Sequence, residues 1–169
     1  MTGHEPLAAI PRPIEEQGRT VLARAGEREA AIVTAESCTG GLLASLLTDI
    51  EGASRAFERG FVVYSPEAKC ELLGIEAALI DRCGAVSEDV AVAMARGALA
   101  GSRGDVAVAI TGFAGPGAPG DEEGLVHLAA VDRDGRVAHR DLHLGAIGRG
   151  PVREQSLVVA LALLEEVLG

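Results

Sequence analysis

Lys69 is the only lysine among the 15 lysine and arginine residues of this 169-residue chain. Tyr64 is the only tyrosine, and asparagine is absent. Where a positive charge alone is wanted, the chain uses arginine. A sole lysine then marks a place where arginine cannot serve, namely where an amine must lose its proton. The competing explanation is a survivor of biased codon usage, and the neighbouring residues add weight to the functional one. Tyr64 closes an expected strand, and Lys69 lies one turn into the helix that follows. If their strands are neighbours, both face the cleft beside a second polar segment, Glu36-Ser37-Cys38-Thr39-Gly40-Gly41.

That second segment joins an apolar strand to a helix. Ligands in α/β sheets sit beyond the carboxyl ends of strands, and free amides at a helix N-terminus favour an anion. Glu36, Ser37, Cys38, Thr39, Gly40 and Gly41 are therefore candidate ligand contacts. Ser37 is the candidate nucleophile, and the glycines admit close backbone approach. Cys38 is its rival, since a helix N-terminus lowers a thiol pKa. The plainer alternative is a helix cap followed by close packing.

Two further segments belong to the same edge. The Gly-rich loop Thr111 to Gly120 follows another strand, and Thr111, Gly112 and Gly115 are expected to touch ligand through a nest of amides. It lacks the lysine of a phosphate-binding P-loop, and it lacks the helix and acid of a dinucleotide fingerprint. Arg149 and Arg153, four apart at the start of the last helix, share a face and can clamp a phosphate; the alternative is salt bridging to surface acids. His4, His127, His139 and His143 make no recognisable ligand set, so neither metal nor organic cofactor is expected.

These groups need a scaffold. Residues 1–13 read as a lead-in and 14–169 as one domain. Helical spacing runs from Ile14 to about Arg28. Ala30 to Ala35 reads as a buried strand, Leu42 to Leu47 as a helix, and Phe57 to Ser65 as a strand in which Gly60 marks a bulge or close approach. Pro66 starts a helix that stops at Gly74. Ser87 caps a helix from Val90 to about Ala100. Asp105 to Ile110 is a strand, Gly124 to Val131 and Val137 to Leu144 form a hairpin, and Pro151 to Leu168 is the terminal helix. Helices alternating with buried strands predict a single three-layer α/β/α domain with a mixed sheet.

Composition excludes several partners. A net charge of −10 argues against bulk attraction to nucleic acid or an anionic membrane. Aromatic residues at 2% are too few for a single-strand stacking platform. No apolar run reaches membrane-spanning length, and the N-terminal residues lack the apolar core of a signal peptide. Three cysteines without metal spacing point to a reducing, cytoplasmic setting.

Taken in order, Thr34-Ala-Glu-Ser-Cys-Thr-Gly-Gly41, Gly60-Phe-Val-Val-Tyr-Ser-Pro-Glu-Ala-Lys69, Gly84-Ala-Val-Ser87, Ile110-Thr-Gly-Phe-Ala-Gly-Pro116 and Gly124-Leu-Val-His127 resemble the CinA C-terminal domain family. The similarity covers roughly residues 14 to 168, and the length resembles the family's stand-alone form. Enzymatic members are nicotinamide-nucleotide amidohydrolases of pyridine nucleotide salvage. The resemblance implies deamidation of nicotinamide mononucleotide, a small-molecule substrate, with Ser37, Tyr64 and Lys69 as the catalytic set and Tyr64 relaying a proton between the other two. It also implies a homo-oligomer, most simply a dimer. Pro66 departs from the family's usual asparagine, and the Gly-rich loop lacks its usual Lys-Pro. A non-catalytic nucleotide-binding module and a serine amidase of another small substrate are the alternatives.

Overall fold

A computed structural model describes residues 10–169, so most of the expected lead-in, His4 included, lies outside the described residues. The core is set by strands that are apolar on both faces. All five residues of β1 (Ile32–Glu36) are buried, as are the first six of β3 (Val106–Gly112). Strands of this kind have no face for water, so helices cover both sides. Ile32, Val106, Val108 and Ile110 pack into one layer with α1 (Arg12–Glu27), α2 (Leu42–Asp49) and α6 (Arg149–Leu168). Val33, Ala35, Ala107 and Ala109 pack into the other with α3 (Pro66–Leu73), α4 (Ala77–Cys83) and α5 (Glu88–Ala100). This is the three-layer α/β/α arrangement expected.

With β2 (Phe57–Val62), β4 (Leu125–Asp132) and β5 (Val137–His143), the sheet order is β2-β1-β3-β4-β5. The first three strands are parallel, and β4 and β5 are antiparallel additions. From β1 the chain goes first to one side and later returns to the other. The C-terminal ends of β1 and β3 therefore flank a topological switch point, where α/β sheets open a crevice.

Several boundaries differ from expectation. α1 begins at Arg12, inside the expected lead-in, because Pro13 suits a first helical turn. α6 begins at Arg149 rather than Pro151. α4 was not expected at all. β2 ends at Val62, which leaves Tyr64 beyond the strand. Gly60 does mark a close approach: a Cβ there would sit 2.8 Å from Thr34 Oγ1 and 3.1 Å from Ala44 Cβ. The bulge lies elsewhere, where Glu58 is skipped between the Ile32–Phe57 and Val33–Arg59 pairs. Among the described residues no helix is long and apolar enough to cross a membrane.

Candidate active site

Each of the three parallel strands ends in a segment that turns into the same crevice. Beyond β1, the Ser37 amide donates to Ile110 O of β3 at 3.0 Å, and the Gly40 amide closes a turn on Ser37 O at 3.0 Å. Gly40 and Gly41 follow at φ +61° and +92°, a left-handed pair that swings the chain into α2. Beyond β2, the Val63 amide donates to Glu36 O at 2.8 Å, which ties this segment to the Ser37 loop. Ser65 then caps α3, its Oγ accepting from the Ala68 amide at 3.1 Å. Pro66 stands at the first helical position, where its missing N–H costs no helix bond. The proline that departs from the family pattern thus leaves the helix carrying Lys69 intact.

Lys69 Nζ reaches 3.0 Å from Ser37 Oγ and 3.0 Å from Val63 O. The lysine is 1% exposed and Ser37 6%. No carboxylate among the described residues pairs with this amine. Burial strips the ammonium of water and pulls the Lys69 pKa below the ordinary lysine range, against weaker opposing contributions from the Cys38 and Cys70 thiols. A buried hydroxyl in direct contact with a buried amine whose pKa is lowered is an arrangement that can serve as nucleophile and base. Because the two touch directly, Tyr64 does not stand between them. Tyr64 is 69% exposed, and its hydroxyl has no hydrogen-bond partner among the described residues.

The crevice encloses about 260 Å³. Ser37, Cys38, Tyr64, Lys69, Thr111, Gly112, Gly115 and Arg149 all line it, as the sequence led us to expect. Thr111 Oγ1 donates to Ala85 O at 2.8 Å and draws residues 84–86 against the site. Gly115 makes room for the Arg149 guanidinium, since a Cβ there would lie 2.8 Å from Arg149 Nη2. On the outer side of the Gly-rich loop, His143 bridges Glu122 Oε1 (2.6 Å) and Asp141 Oδ2 (2.8 Å). These two carboxylates raise the His143 pKa. His139, on the same strand, stacks on His127.

Five of the expected ligand contacts lie outside the crevice lining, and the expectation for the Cys38 thiol is corrected. Glu36 does not face ligand: it is 1% exposed, and its carboxylate accepts from the Leu43 and Ala44 amides at 3.0 and 2.8 Å. It occupies the α2 N-terminus, whose free amides favour an anion. Thr39, Gly40 and Gly41 shape the loop instead of lining the crevice. Arg153 is drawn away from any phosphate, because its Nη2 donates to Thr39 O at 2.6 Å and so buttresses the Ser37 loop. The pair expected to clamp a phosphate is thereby divided between Arg149 in the crevice and Arg153 behind the loop. Cys38 is no low-pKa thiol: burial raises it to about 11, outweighing its own backbone amide.

Lining residues that the sequence reading did not single out are Ala85, Val86 and Asp121, with Phe113, Ala114, Pro116 and Gly117 of the Gly-rich loop. The Gly84-Ala-Val-Ser87 string was the available signal for the first two. A larger groove of about 840 Å³ crosses α3, α4 and α5, but it holds no serine, threonine, cysteine, tyrosine or lysine. The side chains able to act as nucleophile or base line the smaller one.

Comparison with known proteins agrees with this layout. The sequence pattern of the CinA C-terminal domain matches residues 15–168. A CinA-like protein of Mycobacterium tuberculosis is 50% identical over 139 residues, which are 81% of this chain and 32% of that protein. The chain thus spans about a third of the length of those mycobacterial relatives. The nicotinamide-nucleotide amidohydrolase PncC of Escherichia coli K12 is 44% identical over 153 residues, 89% of each chain. The crystal structure of competence/damage inducible protein CihA from Agrobacterium tumefaciens superposes with a TM-score of 0.92 at 41% identity, covering 96% of this chain and 100% of that one. With its motifs, its sheet and nearly all of its described length accounted for, the chain belongs to the CinA C-terminal domain family.

Proposed function

We propose that this protein hydrolyses the carboxamide of nicotinamide mononucleotide, giving nicotinate mononucleotide and ammonia. The observation that carries this is the buried 3.0 Å contact between Lys69 Nζ and Ser37 Oγ, with no acid beside the amine. The reaction named for the Escherichia coli relative is the chemistry such a pair performs.

The neutral Lys69 amine takes the Ser37 hydroxyl proton as Oγ attacks the carboxamide carbon. The developing oxyanion is met by a backbone amide beside the nucleophile. In this loop the amides of Gly40, Leu42, Leu43 and Ala44 are already committed. Cys38, which lines the crevice, supplies the donor, a well-placed one being worth about 3 kcal/mol in the transition state. The C–N bond breaks, the Lys69 ammonium gives its proton to the leaving nitrogen, and ammonia departs. Water then attacks the acyl ester, Lys69 takes the water's proton, and the C–O bond to Ser37 breaks. The proton returns to Oγ, and nicotinate mononucleotide is released. Arg149 holds the phosphate at the far side of the crevice, where Gly115 lets it enter. Thr111 and Gly112 form the wall between.

Ammonia release from nicotinamide mononucleotide tests this directly. Ser37→Ala is expected to lose about 10⁴-fold or more in kcat. Lys69→Arg, which keeps charge but cannot deprotonate, is expected to fall comparably. The wild-type kcat/KM should rise with pH up to the lowered Lys69 pKa, because only the neutral amine is a base. An active Lys69→Arg variant places the base elsewhere. A wild type that binds the nucleotide without releasing ammonia is a binding module.

A further inference from the structure

Two histidines stand outside the crevice, and the chemistry above leaves them unused. His127 shares a face of β4 with Val131, which packs in the layer of α5. The β4–β5 register sets Ala129 opposite His139 and so brings the two rings together on that face. His127 Nδ1 lies 3.0 Å from His139 Nε2, with the ring planes 21° apart. A contact between two ring nitrogens needs one donor and one acceptor, so at least one ring is neutral. The pair bears on one short segment of chain. Glu88, the first residue of α5, places Oε2 3.8 Å from His139 Nδ1. Ala85 O is held by Thr111 Oγ1, and Thr111 is the cross-strand partner of His127. Ala85 and Val86, between these two attachments, line the crevice. One attachment is a neutral hydrogen bond. The other is an ion pair that exists only while His139 is charged.

We propose that His127 and His139 form a one-proton tether on the flank of the crevice: a single proton sits on His139 between Glu88 and His127 and ties down residues 85–88, and the tie is lost with no proton or with two. On His139 the proton has an acceptor at each ring nitrogen, the Glu88 carboxylate and His127 Nδ1. On His127 it has His139 alone. Burial first, and then the charge of His139, pulls the His127 pKa below the ordinary histidine range, against Asp141 and Glu88. A second proton turns His127 Nδ1 from acceptor to donor and sets two cations against each other, which breaks the contact. The other charged groups nearby are engaged elsewhere: Asp141 with His143, and Asp89 with the Cys83 thiol. The tether does not depend on which ligand the crevice takes.

The chain has four histidines, so single His→Gln variants assign their ring resonances one by one. In a proton NMR titration of the full chain, His127 and His139 should titrate as a coupled pair, in two steps about one pH unit or more apart. His139→Gln should leave His127 with a single step. As the pair takes its first proton, amide exchange at residues 85–88, measured against amides of α1, should slow about threefold, the scale of an ion pair with one exposed partner. Glu88→Gln alters a side chain that is 64% exposed and leaves the fold intact, so it keeps the test open if a histidine variant does not fold. It should abolish the slowing and move the upper step toward acid. Two rings that titrate independently, each indifferent to replacement of the other, overturn the proposal. So does exchange at residues 85–88 that ignores the upper step, or a slowing that survives Glu88→Gln.

Discussion

A lysine buried without a carboxylate is costly as a cation, and that cost is readable in stability as well as in rate. The folded-state Lys69 pKa is lowered, so the unfolded chain binds its proton more tightly. The penalty is full below the folded pKa and shrinks as pH rises from there toward the unfolded value of about 10.4. Lys69→Met should therefore raise the melting temperature relative to wild type most at acid and neutral pH, with the advantage narrowing in alkali. Thermal melts across pH check this, and an advantage independent of pH would mean that folding leaves the Lys69 pKa unshifted. The neighbouring thiol gives a second test. With a pKa of about 11, Cys38 holds about one thiolate in 10⁴ molecules at neutral pH. Alkylation followed by mass spectrometry should modify the half-buried Cys70 and Cys83 first, and Cys38 only after unfolding. The sequence pointed to the sole lysine and to Ser37. It misjudged Cys38 because the helix end was visible in the order of residues, whereas the depth at which the thiol is buried was not.

At the scale of elements, the strands were legible because buried parallel strands write themselves as apolar runs, and β1 and β3 fell within two residues of their expected limits. α4 was not legible. It is seven residues long, begins without a side-chain cap and buries only Ile80, so neither period nor punctuation announces it. Glu36 was misread for a related reason. Capping signals are sought within three residues of a helix start, yet this carboxylate reaches forward from the end of a strand to amides seven and eight residues away. It joins β1 to α2 and so fixes the loop bearing Ser37. Glu36→Ala leaves two buried N–H groups unpaired and should cost about 3 kcal/mol. For a chain of this size that lowers the melting temperature by about 6–12 °C. A smaller shift in calorimetry would mean that water replaces the carboxylate.

For the molecule as a whole, the parallel half of the sheet builds the crevice and the antiparallel half seals its flank. β4 pairs along the length of β3, and the His143 clasp on β5 holds Glu122 of the Gly-rich loop. Family membership and fold were readable from five short strings because four of them sit at strand ends, where the topology brings them together, and the fifth, residues 84–87, is tied to them through Thr111. The division of labour between Arg149 and Arg153 was not readable, since one helical turn separates them and only packing decides which faces inward. The burial of the one lysine has a consequence for handling the protein. A lysine-specific endoprotease has a single bond to cut, after residue 69, and that bond lies in α3 with its side chain 1% exposed. The native chain should resist it, and each cut should record one opening of the helix that holds the base. Substrate bound in the crevice should slow the cutting, so that occupancy of the site can be followed on a gel with no measurement of turnover.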